Sequence, residues 1–316
     1  MDLSHLIPVD TFQSGFTACP SLISQRIDSV ALNDEDLGVH KVSSRTGHPL
    51  AVPPSVDNSH PNKDWPPPSI AWEAFYPQGS INPSASIPGG FGFYLSGPSA
   101  FASRLESGAT HIVLSYRMML QTEWEWVKGG KLPGIFGGEG DFSYACTGGR
   151  QDNRCKCFNI RPMWRSKGHG ELYTYLPLTP NNREKLIAVP PSSKENADYG
   201  FSVGRNAFTF NTAVGRWISL AFRVKLNAVG CEDGELELWV DGKSVINVSG
   251  LTFRDSEHSR IKGGHFQTFF GGAYPREMLI ELNYTKCGWY SGHQNDWASP
   301  KDQRAWFADL TGVVIE

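Results

Sequence analysis

The chain of 316 residues contains no apolar run of about 18 residues, the length a membrane-spanning helix requires, so no membrane partner is expected. Its first residues, MDLSHLIPVD, lack a basic start followed by an apolar stretch, and no signal peptide is visible in this chain. Standard zinc spacing is missing too. Cys155 and Cys157 lie close together, but C-x-C with one distant cysteine and no nearby histidine pair is not a usual ligand set. No metal and no cofactor is expected. Internal repeats and long helical patterns are also absent, and a net charge of only −3 gives no reason to expect a nucleic-acid partner.

What remains suits β-structure. Aromatic residues make up 12% of the chain, and 33 glycines with 21 prolines favour short strands and tight turns. Apolar alternation predicts strands at 70–76, 90–94, 111–120, 217–226, 235–240, 265–270 and 306–315, the last closing a sheet, with one short helical turn at 99–105. Asp241-Gly242, between ELELWV and residues 243–248, is the strongest hairpin signal, because a type I′ turn needs positive φ at both central residues. Residues 1–64 are polar, with a Pro, Asn and Ser-rich end, and read as an N-terminal extension partly packed on the rest, adding one strand near 39–52. Residues 65–316 read as a single catalytic domain, which is ordinary for an all-β chain of this length. The polar segment 179–196 reads as a mobile loop or lid. The expected fold is all-β: a concanavalin-like antiparallel β-sandwich, or β-jelly roll, with a concave substrate groove. Trp124, Trp126, Trp289 and Trp297 are candidates to stack on sugar rings in such a groove, against the plainer reading that each packs in the core.

Six cysteines (19, 146, 155, 157, 231 and 287) allow fifteen pairings. Cys146 with Cys155 or Cys157 would close a short loop, and disulfides agree with an extracellular location. The triplets Asn247-Val248-Ser249 and Asn283-Tyr284-Thr285 agree with secretion as well.

The chemistry concentrates in residues 128–175. Two alternating runs, 158–165 and 171–176, are split by the turn Lys167-Gly168-His169-Gly170, the signature of a hairpin with one buried face. Phe158, Ile160 and Trp164 belong to the core face. Asn159, Arg161 and Arg165 point the other way, joined by Tyr173 and Tyr175 in the register the turn suggests. Between residues 128 and 167 eight Lys or Arg face three acids, so this block carries +5 while the rest of the chain carries −8. Such asymmetry points to an anionic ligand.

Two reactions merit comparison. Glycoside hydrolysis needs two carboxylates astride the scissile bond. Glu123 and Glu125, at i and i+2 on an expected strand, resemble the paired acids of laminarinase-type hydrolases, yet Val127 stands where a third acid is customary. Eliminative cleavage of a uronic-acid polymer instead needs a cation or amide on the substrate carboxylate, a base for the hydrogen on carbon 5, and an acid for oxygen 4. Arg161, Lys131, Asn159 and the two tyrosines supply these parts, with neighbouring cations expected to lower the phenol pKa. A third possibility is a carbohydrate-binding sandwich without catalysis.

The motifs KGGKLPG (128–134), C-F-x-x-R-x-M-W-R (157–165) and G-x-G-E-L-Y-x-Y (168–175) resemble polysaccharide lyase family fourteen, the alginate and glucuronan lyases, in a fungal-type member. GGFGFY at 89–94 and FQTFFGG at 266–272 extend the resemblance from about Trp65 to the C-terminus. The resemblance implies that Lys131, Arg161, Tyr173 and Tyr175 are catalytic. Asn159 stands where the family usually has serine, and Lys128 neighbours Lys131 closely enough to compete for its role. Lys128, His265, Gln267, Arg165 and Trp126 are expected to bind substrate, and His169 to be a solvated turn residue. The expected protein is a secreted monomer acting on an anionic polysaccharide by syn β-elimination, with Tyr175 as base and acid. Residues 273–296, with Cys287 and His293, are expected to reshape one end of the groove.

Overall fold

Residues 111–120 alternate without a charged side chain on the inner face, and they form a strand buried at nine of its ten positions, around which the first of two sheets is laid. The computed structural model describes residues 3–55, 66–147, 153–196, 199–271 and 295–316. Trp65, Trp289, Cys287, His293 and the Asn283 triplet lie outside the described residues. The early strands are β1 (Ser14–Thr17), β2 (Ile27–Ser29), β3 (Val39–His40) and β4 (Leu50–Ala51). Next come β5 (Ala71–Tyr76), β6 (Phe91–Leu95), helix α1 (Ser99–Glu106) and β7 (His111–Leu120). The centre of the chain supplies β8 (Gly129–Lys131), β9 (Gly134–Glu139), β10 (Cys157–Arg165) and β11 (His169–Tyr175). Helix α2 (Pro180–Ile187), β12 (Lys194–Asn196), β13 (Gly200–Thr209) and β14 (Ile218–Lys225) follow. The remainder is β15 (Gly234–Val240), β16 (Lys243–Leu251), β17 (Ser259–Phe270) and β18 (Gln303–Val314).

One sheet runs β16-β15-β14-β7-β18-β1-β2, with β5 also on β18 and β4 on β5. The other runs β12-β13-β11-β10-β8-β17-β6-β3, with β9 bridging β10 and β17. Neighbours are antiparallel except β1 and β2. The chain is thus the β-sandwich, or jelly roll, that its alternation predicts. Between the sheets Trp72 meets Phe93 edge to face at 5.1 Å, and Tyr116 meets Phe266 at 5.3 Å. Burying each such ring contributes roughly 1.5–3 kcal/mol. Asp241 and Gly242 take φ of 49° and 73°, the paired positive values that the β15–β16 turn requires.

Three local readings change. β18 does not close a sheet but lies inside one, between β7, β1 and β5, which fits a run buried at ten of its eleven positions from Arg304 to Val314 on both faces. Residues before 56 supply four short strands rather than one. The segment 179–196 is not a loop: it holds α2 and β12. Thr179 accepts the amide of Asn182 at 3.1 Å, Pro180 opens the first turn, and Leu186 is buried. The buried Asn182 amide donates to the carbonyls of Pro177 and Thr252 at 2.8 and 2.7 Å, fixing α2 to the sandwich.

Replacing Thr179 by Ala should cost about 1 kcal/mol of stability in urea unfolding. An unchanged unfolding midpoint would mean that packing alone holds α2.

Candidate active site

The site is written into the register of β10 and β11. Asn159 stands opposite Tyr175, Arg161 opposite Tyr173, and Met163 opposite Glu171. Residues directly opposed across an antiparallel pair share a face. Phe158, Ile160 and Trp164 therefore enter the main core, while Cys157, Met163, Tyr173 and Tyr175 form a separate cluster with Cys146 and Trp297 on the other face. β8 sets Lys131 opposite Met163 on one side and Phe269 on the other. β17 and β6 set His265 opposite Tyr94 and Gln267 opposite Gly92. A Cβ on residue 92 would come within 3.1 Å of the Gln267 amide nitrogen, so glycine leaves that side chain its place.

This outer face carries an open cleft of about 560 Å³, within the usual size of a ligand site. Lys131, Asn159, Arg161, Tyr175, His265 and Gln267 line it. Arg161 is buried and held on three sides: Nε donates to the Leu132 carbonyl at 3.0 Å, Nη1 to Gln267 Oε1 at 3.0 Å, and Nη2 to the Gln267 carbonyl. A guanidinium has five N–H donors, so two remain for a ligand. Asn159 Nδ2 lies 2.8 Å from His265 Nδ1, and the imidazole stacks on Tyr94 at 4.2 Å. The Asn159 Oδ1 and Tyr173 hydroxyl are buried with no partner among the described residues.

Lys131 donates from Nζ to the Tyr175 hydroxyl at 3.2 Å and lies 4.8 Å above the Tyr173 ring. Burial, with Arg161, Arg165 and Arg154 close by, holds its pKa well below the ordinary lysine value. His265 is held well below the usual imidazole range by burial and by Arg161 and Lys131, which keeps it neutral. The phenols move opposite to the sequence expectation. Burial outweighs the attraction of Arg154 and Arg161, and the Tyr175 pKa is pushed up to about 12. Tyr173 is raised as well, by burial and then by Tyr175. The resting site therefore holds neutral phenols beside a weakly basic amine.

The other expected residues are not among the described residues lining the cleft. Arg165 is bound to Glu171 at 2.5 Å, and its guanidinium stands 6.0 Å from the Tyr173 ring. Lys128 pairs with Asp296 at the surface and is not among the described residues lining the cleft. Trp126 packs on Trp124 and Trp164 at 6.0 and 6.4 Å, beneath the turn at Gly168, and not in the groove. Trp124 and Trp297 are buried. Glu123 has φ of 59° in a turn, and the exposed Glu125 pairs with Lys301 at 3.0 Å. Neither acid reaches the cleft, which removes the paired-carboxylate geometry a glycoside hydrolase needs.

Arg154 and Tyr94 had no individual signal in the sequence. Arg154 counted only as one charge of a basic block, yet it is buried with its guanidinium 4.6 Å from the Tyr175 ring and donates to the Tyr199 carbonyl. The Cys146–Cys157 disulfide closes the segment that carries it and makes Cys157, not Cys155, the partner of Cys146; among the described residues Cys155 is free and exposed. Glu171 is the counterweight. It is fully buried, accepts from Ser202 at 2.6 Å, and pairs with Arg165 and with Arg205 at 2.9 Å.

Two packed antiparallel sheets with a cationic, phenol-bearing cleft on one outer face define a class, the β-jelly-roll enzymes with an open site. The chain belongs to the polysaccharide lyase 14 family, whose model matches residues 68–276, and it is a polysaccharide lyase. Among solved structures it is similar to the PL-14 alginate lyase of Aplysia kurodai, at 25% identity and TM-score 0.65, covering 96% of this chain and 99% of that one. The alginate lyase of a Chlorella virus shares the fold at 20% identity and TM-score 0.59, covering 89% and 93%. No curated protein matches the chain.

Glu171 ties the site to acid stability. Its carboxyl is held below the usual carboxylate value by Arg165, Arg205 and Ser202 against the cost of burial. A depressed folded-state pKa contributes stability that is present above the unfolded value, near 4.3, and lost as pH falls through the lower folded one. Glu171→Gln should cost about 2–3 kcal/mol at neutral pH, less than a fully buried pair because Arg205 is partly exposed. The gap between wild type and variant should narrow on acidification in urea unfolding, and a gap independent of pH would refute the assignment.

Proposed function

We propose that the protein cleaves a β-1,4-linked polyuronate of D-mannuronate or D-glucuronate by syn β-elimination, leaving an unsaturated uronate at the new non-reducing end. The observation that supports it most is the Lys131–Tyr175 contact at 3.2 Å beside a buried Arg161 that keeps donors for the cleft. Two guanidinium N–H groups and the Asn159 amide receive the substrate carboxylate and take up the negative charge that grows as carbon 5 loses its hydrogen. An amide replaces the family's usual serine hydroxyl here, and Asn159 is set by His265, so this pair is where substrate preference is read.

The proton steps balance within the pair. The Tyr175 phenol passes its proton to the neutral Lys131 amine as the substrate carboxylate docks. The phenolate then removes the carbon 5 hydrogen, and the regenerated phenol gives that proton to oxygen 4 as the glycosidic bond breaks. Phenolate returns, and the ammonium of Lys131 remains beside it. In mannuronate and glucuronate the carbon 5 hydrogen and oxygen 4 lie on the same side, so one tyrosine serves both steps. The two sugars differ only at carbon 2, away from the reacting bond, so these catalytic residues do not separate them. The alginate lyase from Aplysia kurodai supports the polyuronate class. The Cys146–Cys157 disulfide supports secretion.

Incubation with polymannuronate, glucuronan and polyguluronate, followed by absorbance of the new double bond, tests this reading. Signal is expected on one or both of the first two polymers. Reducing ends from a neutral glucan, with no absorbance on any uronan, would sink it. Tyr175→Phe should abolish turnover while polymer binding persists; retained activity would move the base to another residue.

The pH dependence carries a sign. As pH rises through the lowered Lys131 value the pair loses one proton, and the form with ammonium and phenolate becomes accessible, so activity climbs with pH and fails in acid. In Lys131→Arg the guanidinium keeps its proton and cannot take the one that the Tyr175 phenol must shed. Turnover near neutral pH should then fall roughly 10²-fold or more. A wild-type rate in that variant would show that Tyr175 does not depend on the amine.

A further inference from the structure

The cleft reaches well beyond Arg161 and Tyr175, and its far wall comes from a part of the chain outside the family match at 68–276. Lys41, Val42, Ser43 and Ser44 line that end, facing residues 81–84. β3 immediately precedes them and lies at the edge of the second sheet, four strand steps from β10. At the usual spacing of neighbouring strands that is on the order of 20 Å, the length of several sugar rings.

This wall is built, not incidental. Lys41 holds a φ of 50°, a left-handed conformation that side chains other than Gly and Asn rarely adopt. Just past it the Ser43 amide donates to the Gly92 carbonyl at 2.7 Å, tying the segment to β6. Arg45 then latches the opposite wall, donating to the carbonyls of Ser84 and Ala85 at 3.1 and 2.7 Å and to that of Ser86 at 3.4 Å. The exposed Lys41 ammonium stands 4.4 Å over the Tyr144 ring. From there Tyr144 meets Tyr94 at 4.9 Å, Tyr94 stacks on His265, and His265 meets Asn159. A continuous aromatic line thus runs from Lys41 to the amide beside Arg161. No Asp or Glu is among the described residues lining the cleft; Glu106 and Asp141 line a separate hollow that Tyr144 shares.

We propose that residues 41–44 form a remote anion subsite in which the Lys41 ammonium receives the carboxylate of a uronate several sugars from the reacting bond. The assignment rests on the polyuronate reading above. Ser43 and Ser44 offer hydroxyls to the same sugar, and Arg45 is the positioning residue that keeps the two walls apart at a fixed width. The consequence is a lyase that grips long chains better than short ones.

The test is kinetics over an oligouronate size series and the polymer, for wild type, Lys41→Ala and Lys41→Glu. An exposed charge pair is weak, so Lys41→Ala should raise KM for the polymer only about two- to fivefold, and Lys41→Glu more. The penalty should fade for the shortest chain still cleaved and shrink as salt rises, since the contact is screened. Arg45→Ala should give the same length-dependent penalty, with Arg45→Lys partly restoring the polymer KM. A penalty equal at all lengths, or none in both Lys41 variants, overturns the subsite. If wild type cleaves no uronan, the functional reading fails by itself; calorimetric titration of the same proteins with polymannuronate then decides the subsite, and equal affinities overturn it.

Discussion

Crowding of positive charge on one desolvated sheet face is the constraint on which the rest of the structure depends. Lys131, Arg154 and Arg165 stand 4.6 to 6.0 Å from the rings of Tyr173 and Tyr175, and Arg161 lies opposite Tyr173 in the β10–β11 register. Removing each such ion from water costs several kcal/mol unless its donors are satisfied. The structure meets that cost in distinct ways. Arg161 is satisfied by backbone and side-chain oxygens around it, Arg165 by the buried carboxylate of Glu171, and Arg154 by the Tyr199 carbonyl and the ring of Tyr175. Among the described residues no carboxylate pairs with Lys131, and its proton is loosely held. The one weakly basic amine of the face is therefore a product of where the carboxylate was spent.

Much of this was legible in the sequence because register has period two. Once the turn after Arg165 is recognised, Asn159, Arg161, Tyr173 and Tyr175 must share a face, and the apolar set Phe158, Ile160 and Trp164 says which face is outward. The same logic located β5, β7, β14 and β15 to within a residue or two. It failed where alternation is not the signal. β18 is apolar on both faces, and continuous burial marks a central strand and not the last one added. α2 announces itself only through a threonine-proline start and a single buried leucine, too little periodicity to outweigh the five polar residues of the helix.

Contacts between distant segments were beyond the sequence for a different reason. Lys41 is more than a hundred residues from Tyr144, and Arg154 reaches Tyr175 from a segment tied back by a disulfide. Neither has a spacing that singles it out, since a lone lysine or arginine before a strand is usually solvated. Trp126 erred the other way. A tryptophan near a basic hairpin suggested a sugar platform, but residues 121–127 form no strand, with a turn at Thr122–Glu123, and the ring is folded under Gly168.

The phenol shows most sharply what neighbours alone cannot decide. Cations close to a tyrosine favour phenolate, and the sequence supplied the cations; burial favours phenol, and only the packed structure supplies burial. At Tyr175 the second effect is larger, so proximity to Arg154 and Arg161 limits the rise without reversing it. A base that starts protonated must be paired with an acceptor, and Lys131 is the amine within reach, its lowered pKa leaving it without its extra proton at a lower pH than an ordinary lysine. The two shifts have one origin, the exclusion of water from this face, and they favour the uncharged form of both groups, amine and phenol, over the ammonium and phenolate that water would stabilise. The unit that titrates is thus the pair, and the identity of the base is a property of the packing around both residues.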